Sequence, residues 1–122
     1  MPNYSIKSPE NEEEWDSYLL FRWEILRKPL GMSKDLLTDS IEDESFHLMG
    51  IDEEKNVIAS GRVHFNSENE AQIRYMAVDE NFKRKGVGTE IVKELEKYAL
   101  SKGKVSMILN ARENAISFYL SL

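Results

Sequence analysis

The stretch Met76-Ala77-Val78-Asp79-Glu80-Asn81-Phe82-Lys83-Arg84-Lys85-Gly86-Val87-Gly88-Thr89 decides how this chain is read. Its first three residues close a segment, Ala71–Val78, that reads as a β-strand. From about Gly86 onward Val87, Ile91, Leu95, Tyr98 and Ala99 recur at helical spacing, with Val92 beside them. Between the two, Lys83-Arg84-Lys85-Gly86-Val87-Gly88-Thr89 places consecutive cations and a pair of glycines at a strand-to-helix turn. Glycine lets a backbone approach a ligand closely and take dihedral angles closed to other residues. The first amides of a helix have no carbonyl partner within it and sit at its positive end, so they bind anions. The physical reading is a cradle for a phosphate or pyrophosphate. A P-loop does not fit, because Gly88 is followed by Thr89 and Glu90 rather than by lysine and a hydroxyl residue. A dinucleotide fingerprint does not fit either, because Ile91 stands where the third glycine belongs. On this loop alone, a solvated basic turn stays open as the alternative.

Around the loop lies a chain of 122 residues, a length for one domain over residues 1–122. It is 41% hydrophobic and 31% charged, which supports a buried core and argues against disorder. The formal charge of −6 disfavours nucleic acid as a partner, since an acidic domain repels phosphate backbones. Cysteine is absent, which removes a disulfide scaffold, a thiolate metal site and a cysteine nucleophile. His47 and His64 alone do not make a metal motif. No segment has the roughly 20 apolar residues of a membrane span, and the start Met1-Pro2-Asn3-Tyr4-Ser5 does not resemble a signal peptide. The expectation is a cytoplasmic protein without membrane partners.

The remaining elements follow in order. Tyr4–Lys7 reads as a short strand, and a helix is predicted from about Glu12 to Arg27, stopped by Pro29 and Gly31. Asn11 and Glu14 have capping-box spacing, and Glu12, Glu13 and Glu14 suit the positive end of the helix. Ser33–Ile41 suggests a second short helix. Phe46–Asp52, Val57–Asn66 and Ala71–Val78 read as strands joined by short polar turns, hence an antiparallel meander. After the helix, Lys102-Gly103-Lys104 marks a stop and Val105–Leu109 a buried strand, expected parallel to Ala71–Val78 through a right-handed crossover. Asn110 to Glu113 again shows capping-box spacing, so a helix is expected over Ala111–Leu120. The fold class is mixed α/β, with an antiparallel N-terminal meander and one parallel βαβ crossover.

The Met76–Thr89 stretch resembles the acetyl-coenzyme A signature of the GNAT N-acetyltransferase superfamily: a strand, a basic Q/R-x-x-G-x-G/A loop and a helix. A second stretch, Asn110-Ala111-Arg112-Glu113-Asn114-Ala115-Ile116-Ser117-Phe118-Tyr119, is similar to the family's N-x-x-A-x-x-F-Y segment. The resemblance covers nearly the whole chain. One departure is Lys83 at the Q/R position, which keeps the charge without the planar fork. The resemblance implies the GNAT-like acyl-coenzyme A N-acyltransferase fold, with acetyl-coenzyme A as co-substrate and no metal. It implies that the pantetheine arm runs along Met76, Ala77 and Val78, an amide near Val78 polarising the thioester carbonyl. Lys83, Arg84, Lys85, Gly86, Val87, Gly88 and Thr89 would hold the phosphates. Asn110 and Asn114 fall among the coenzyme contacts, although Asn110 also reads as a helix cap. Tyr119 matches the family's tyrosine that protonates the departing thiolate, a task open to a phenol with pKa near 10.

The family's glutamate base aligns with Gln72, which takes no proton, so His64, Glu70, Glu24 or a water chain remain for that role. Arg22, Arg27 and Lys28 lie where the family covers its acceptor; they read as a solvated basic face or as a lure for an acidic acceptor. The chain ends Leu120-Ser121-Leu122, where the family continues into a turn and two more strands. A C-terminally truncated member is therefore expected, lacking the last two strands, with residues 105–110 as an exposed edge that pairs in a homodimer. The function implied is transfer of an acetyl group to a primary amine on a small molecule or peptide by direct attack. The alternative is a catalytically weak or inactive acyl-coenzyme A-binding or interaction module.

Overall fold

In the computed structural model, residues 3–27, 31, 42–83, 85–110 and 115–120 are described. They form β1 (Tyr4–Lys7), α1 (Glu12–Arg22) running on as a π-helical segment (Trp23–Arg27), β2 (Phe46–Asp52), β3 (Val57–Phe65) and β4 (Glu70–Val78). After β4 come α2 (Val87–Ser101), β5 (Ser106–Asn110) and β6 (Ala115–Tyr119). The six strands lie in one sheet in chain order, and only β4 and β5 run parallel. The meander and the parallel crossover thus form as the turn and periodicity signals require. The expected helix over Ser33–Ile41 lies outside the described residues.

The helix starts have readable causes. The Asn11 side chain accepts from the Glu14 amide at 2.8 Å, and Glu12, Glu13 and Glu14 fill the first turn of α1. The reciprocal arm of the box reaches one residue further back: Glu14 accepts from the Glu10 amide at 2.8 Å. In α2, Val87, Ile91, Leu95 and Ala99 form a buried stripe at i, i+4 spacing. That stripe packs on Leu48, Ala59, Val63, Ala71, Ile73 and Met107 of the sheet. The opposite face of the sheet carries Met49 and Ile51 against Tyr18, with Trp15 and Leu19 of α1 beside them. Alternation along β2 sends its residues to the two faces in turn, so α1 and α2 cover opposite sides. No helix among the described residues is long and apolar enough to cross a membrane.

Two features of β4 shape the site. Ser60 pairs with Ala77 and Arg62 pairs with Arg74, so Gly61 faces both Tyr75 and Met76. This is a bulge, and Tyr75 takes φ 58°, the left-handed region, which costs a non-glycine residue about 1–2 kcal/mol. The second feature is a gap. β4 and β5 pair from Glu70↔Ser106 to Ile73↔Leu109, and among the described residues the parallel ladder does not reach Met76–Val78.

The C-terminal segment departs from expectation. Residues 115–119, expected within a helix, form β6 and pair antiparallel with β5 from Asn110↔Ala115 to Ser106↔Tyr119. Residues 111–114 lie outside the described residues. The physical reason is tertiary. Ala-Ile-Ser-Phe-Tyr is acceptable in either state, and the apolar β5 presents an edge that a following strand can pair. The expected exposed edge at residues 105–110 is therefore covered, and the homodimer argued from it loses its basis.

Candidate active site

The loop between β4 and α2 builds a concave site from backbone. Asp79 ends the strand, its amide donating to the Ile58 carbonyl at 2.8 Å while its carboxylate accepts from the Asn81 amide at 2.8 Å. That cap holds a single 3-10 turn, Glu80–Phe82. Gly86 then takes φ 85° as the N-cap of α2 and makes no side-chain cap. Only glycine adopts this angle without strain, so the chain turns sharply into the helix. The first return bond inside α2 runs from the Glu90 amide to the Gly86 carbonyl at 3.0 Å. The amides of Val87, Gly88 and Thr89 precede this bond and have no acceptor among the described residues.

These amides border a cavity of about 330 Å³ lined by Met76, Ala77, Val78, Phe82, Lys83, Gly86, Val87, Gly88 and Thr89. A Cβ on Gly88 would stand 3.3 Å from Cγ2 of Val78, so this glycine brings the helix start close to the strand end. Lys83 pairs with Glu80 at 3.1 Å and is 57% exposed, while Lys85 lies 5.5 Å from the Phe82 ring centroid. Both cations stay at the rim, where they raise local potential without filling the cavity. Another depression, at Asn11, Glu12, Glu13, Asp16 and Ser17, is lined by carboxylates and suits no anionic ligand.

The structure therefore brings together Met76, Ala77, Val78, Lys83, Gly86, Val87, Gly88 and Thr89, with Lys85 beside them. Arg84 and Asn114 lie outside the described residues. Asn110 ends β5 one residue past the last β4 pair, at the mouth of the gap. Tyr119 is not gathered with the others. Its backbone stands opposite Ser106, which is level with Glu70, while the cavity lies at the Val78 end of β4. Gln72 and Glu70 both accept from the Asn66 side chain, at 2.9 and 2.8 Å, at the paired end of β4.

A second constellation was not legible as a unit in the sequence. Arg22 does not belong to a solvated face; its side chain is 1% exposed and Arg62 is 0% exposed. Glu42 binds both, at 2.9 Å to Arg22 Nη2 and 2.8 Å to Arg62 Nη1. The guanidinium carbons of Arg22 and Arg62 lie 3.8 and 4.8 Å from the Tyr75 ring centroid. Ser60 Oγ donates to the Tyr75 carbonyl at 2.8 Å. The strained bulge is thus clamped by two cations, one carboxylate and a hydroxyl. Burial alone would raise the Glu42 carboxyl, but the Arg22 hydrogen bond and both arginine charges outweigh it and hold the carboxyl below its ordinary range. His47 Nε2 lies 2.9 Å from the Glu42 carbonyl, which only accepts, so Nε2 carries the proton. Nδ1 then accepts from the Tyr18 hydroxyl at 2.8 Å. Burial pushes the His47 imidazole down and the Tyr18 phenol up, so both stay neutral. The sequence signal for this cluster was weak, since arginine and glutamate distant in the chain announce no contact.

A mixed sheet with a bulge between β3 and β4, a short parallel β4–β5 pair and a glycine turn into α2 defines an α/β domain whose strand-to-helix loop lies beside the end of the parallel ladder. The acetyltransferase (GNAT) family model matches residues 4–122, and the chain belongs to that family. It is similar to an uncharacterized N-acetyltransferase, YjcF, of Bacillus subtilis (strain 168), at 32% identity over 90% of this chain and 77% of the relative. Among solved structures it resembles a GNAT-family acetyltransferase from Staphylococcus aureus Mu50, with TM-score 0.74, 14% identity, and coverage of 88% of this chain and 73% of that one. A GNAT-family acetyltransferase from Elizabethkingia anophelis with acetyl-CoA bound also matches, with TM-score 0.63, 20% identity, and coverage of 89% and 65%. At these identities the structural likeness concerns the fold.

Proposed function

We propose that this chain binds acetyl-coenzyme A along β4 and transfers the acetyl group to a primary amine by direct attack. The observation that carries the reading is the β5-side edge of Met76–Val78, which no described strand pairs, beside the first-turn amides of Val87, Gly88 and Thr89. A pyrophosphate accepts hydrogen bonds from those helix amides, assisted by the Thr89 hydroxyl and by Lys83 and Lys85 at the rim. The pantetheine arm pairs with the exposed edge of β4, and an amide near Val78 polarises the thioester carbonyl. The amine nitrogen attacks the carbonyl carbon, the C–S bond breaks, and the amine proton leaves to solvent or a base. The departing thiolate takes up one proton.

The tyrosine motif assigns that proton to Tyr119. The β6 position of Tyr119 favours a second reading, in which the chain binds the coenzyme and transfers slowly. The test is a calorimetric titration of acetyl-coenzyme A, followed by release of free thiol in the presence of amines. Micromolar binding, about −8 kcal/mol, is expected, and Gly88→Ala weakens it tenfold or more by placing a methyl group in the cradle. If Tyr119 is the acid, Tyr119→Phe lowers kcat about 10²-fold or more with unchanged coenzyme affinity. An unchanged kcat assigns the proton elsewhere. A folded chain that does not bind acetyl-coenzyme A refutes both readings.

A further inference from the structure

Three guanidiniums converge on the Tyr75 ring, those of Arg22, Arg62 and Arg74, with Cζ at 3.8, 4.8 and 5.4 Å from its centroid. They differ in how they are compensated. Glu42 binds Arg22 through both carboxylate oxygens, at 2.9 and 3.1 Å, and Arg62 at 2.8 Å. Arg74 is half-buried and forms no ion pair among the described residues. It also stands directly across from Arg62 in the β3–β4 register. Like charges facing each other on one sheet face are unfavourable, and for Arg74 the Tyr75 ring, shared with two other guanidiniums, supplies attraction without a counter-charge. Arg74 is the first β4 residue beyond the last β4–β5 pair, Ile73↔Leu109, where the gap opens. It lies on the sheet face of Arg62, four residues before Val78.

We infer that Arg74 binds an anionic oxygen group on the acceptor, so that the amine acetylated by this chain carries a carboxylate or a phosphate. This rests on the acetyl-transfer reading above for the location of the acceptor. A guanidinium offers a planar fork that matches either group with paired N–H···O bonds. The anion neutralises the charge that Arg74 adds to a crowded positive region. The overall charge of −6 makes that region a local exception, so it selects an acceptor rather than attracting anions generally.

The experiment compares matched amines that differ in the anionic group alone: β-alanine with β-alaninamide, and O-phosphoethanolamine with ethanolamine. Affinities are read by ligand-detected NMR titration of the whole chain, with and without coenzyme A, so that binding is measured independently of turnover. The anionic member of at least one pair binds about tenfold tighter or more, and the pair that shows it identifies carboxylate or phosphate. In Arg74→Gln the anionic amine falls to the affinity of its neutral partner. Arg74→Lys retains part of the preference because it keeps the charge and loses the fork. Equal affinities within both pairs, or a preference that survives Arg74→Gln, overturn the inference. Acetylation without charge preference would refute this assignment while sustaining the transferase reading. Charge-selective binding without acetylation would do the reverse.

Discussion

Replacing Glu42 with glutamine should unfold this protein more readily than any surface substitution. The carboxylate lies 2.9 Å from one buried guanidinium and 2.8 Å from another, and the two arginines are 1% and 0% exposed. At an effective dielectric of about 20, one such charge pair at ~4 Å between charge centres is worth about 4 kcal/mol. Both pairs are lost together. Glutamine keeps one carbonyl oxygen that still accepts a guanidinium hydrogen bond, and this recovers part of the loss. Breaking a buried pair from one side typically costs about 3–5 kcal/mol, so about 4 kcal/mol is expected for Glu42→Gln. For a chain of this size that corresponds to a fall in Tm of about 10–15 °C. Thermal and urea unfolding followed by circular dichroism give the number, with Glu44→Gln, exposed on the same turn, as the control. Because Arg22 and Arg62 clamp the Tyr75 ring, acetyl-coenzyme A affinity should fall along with stability. A Glu42→Gln variant within about 1 kcal/mol of the parent would show that the two arginines do not depend on this carboxylate, and the clamp argument would be wrong.

Acid should destabilise the fold in two stages. His47 and Glu42 are both held below their ordinary values of 6.5 and 4.5, so as pH falls the unfolded chain takes up each proton first. The stability from His47 is complete above about pH 6.5 and declines below it; that from Glu42 is complete above about pH 4.5 and declines as pH falls through the folded value. Urea midpoints at pH 7.5, 5.5 and 4 should decrease in that order, and His47→Gln should flatten the first step; a midpoint independent of pH from 7.5 to 4 would contradict both assignments. Gly61→Ala should cost about 1–3 kcal/mol by overpacking, because its Cβ would fall 2.7 Å from Ile91 Cγ2 and 2.7 Å from Met76 Sδ. It should also weaken coenzyme binding by shifting Met76, and a neutral result in both unfolding and titration would show slack between α2 and β3.

Much of this protein is local in origin, and that part was legible without coordinates. The strands Tyr4–Lys7 and Phe46–Asp52 match residue for residue, because turn chemistry and alternation bound them on both sides. Helix α2 follows from a period that repeats over Val87, Ile91, Leu95 and Ala99. The turn into α2 followed too, since it rests on Gly86 at the helix start, a property of neighbouring residues. Tertiary structure decided what neighbouring residues do not encode. It turned residues 115–119 into a strand, because an unpaired β5 edge outweighs a weak helical preference in five residues that tolerate either state. It also placed Arg22, Glu42, Arg62, Arg74 and Tyr75 around one bulge. No spacing rule links α1, the turn before β2 and the two strands β3 and β4. Long-range electrostatic pairing is specified only once the sheet register and the helix packing have brought those charges within a few ångströms of each other.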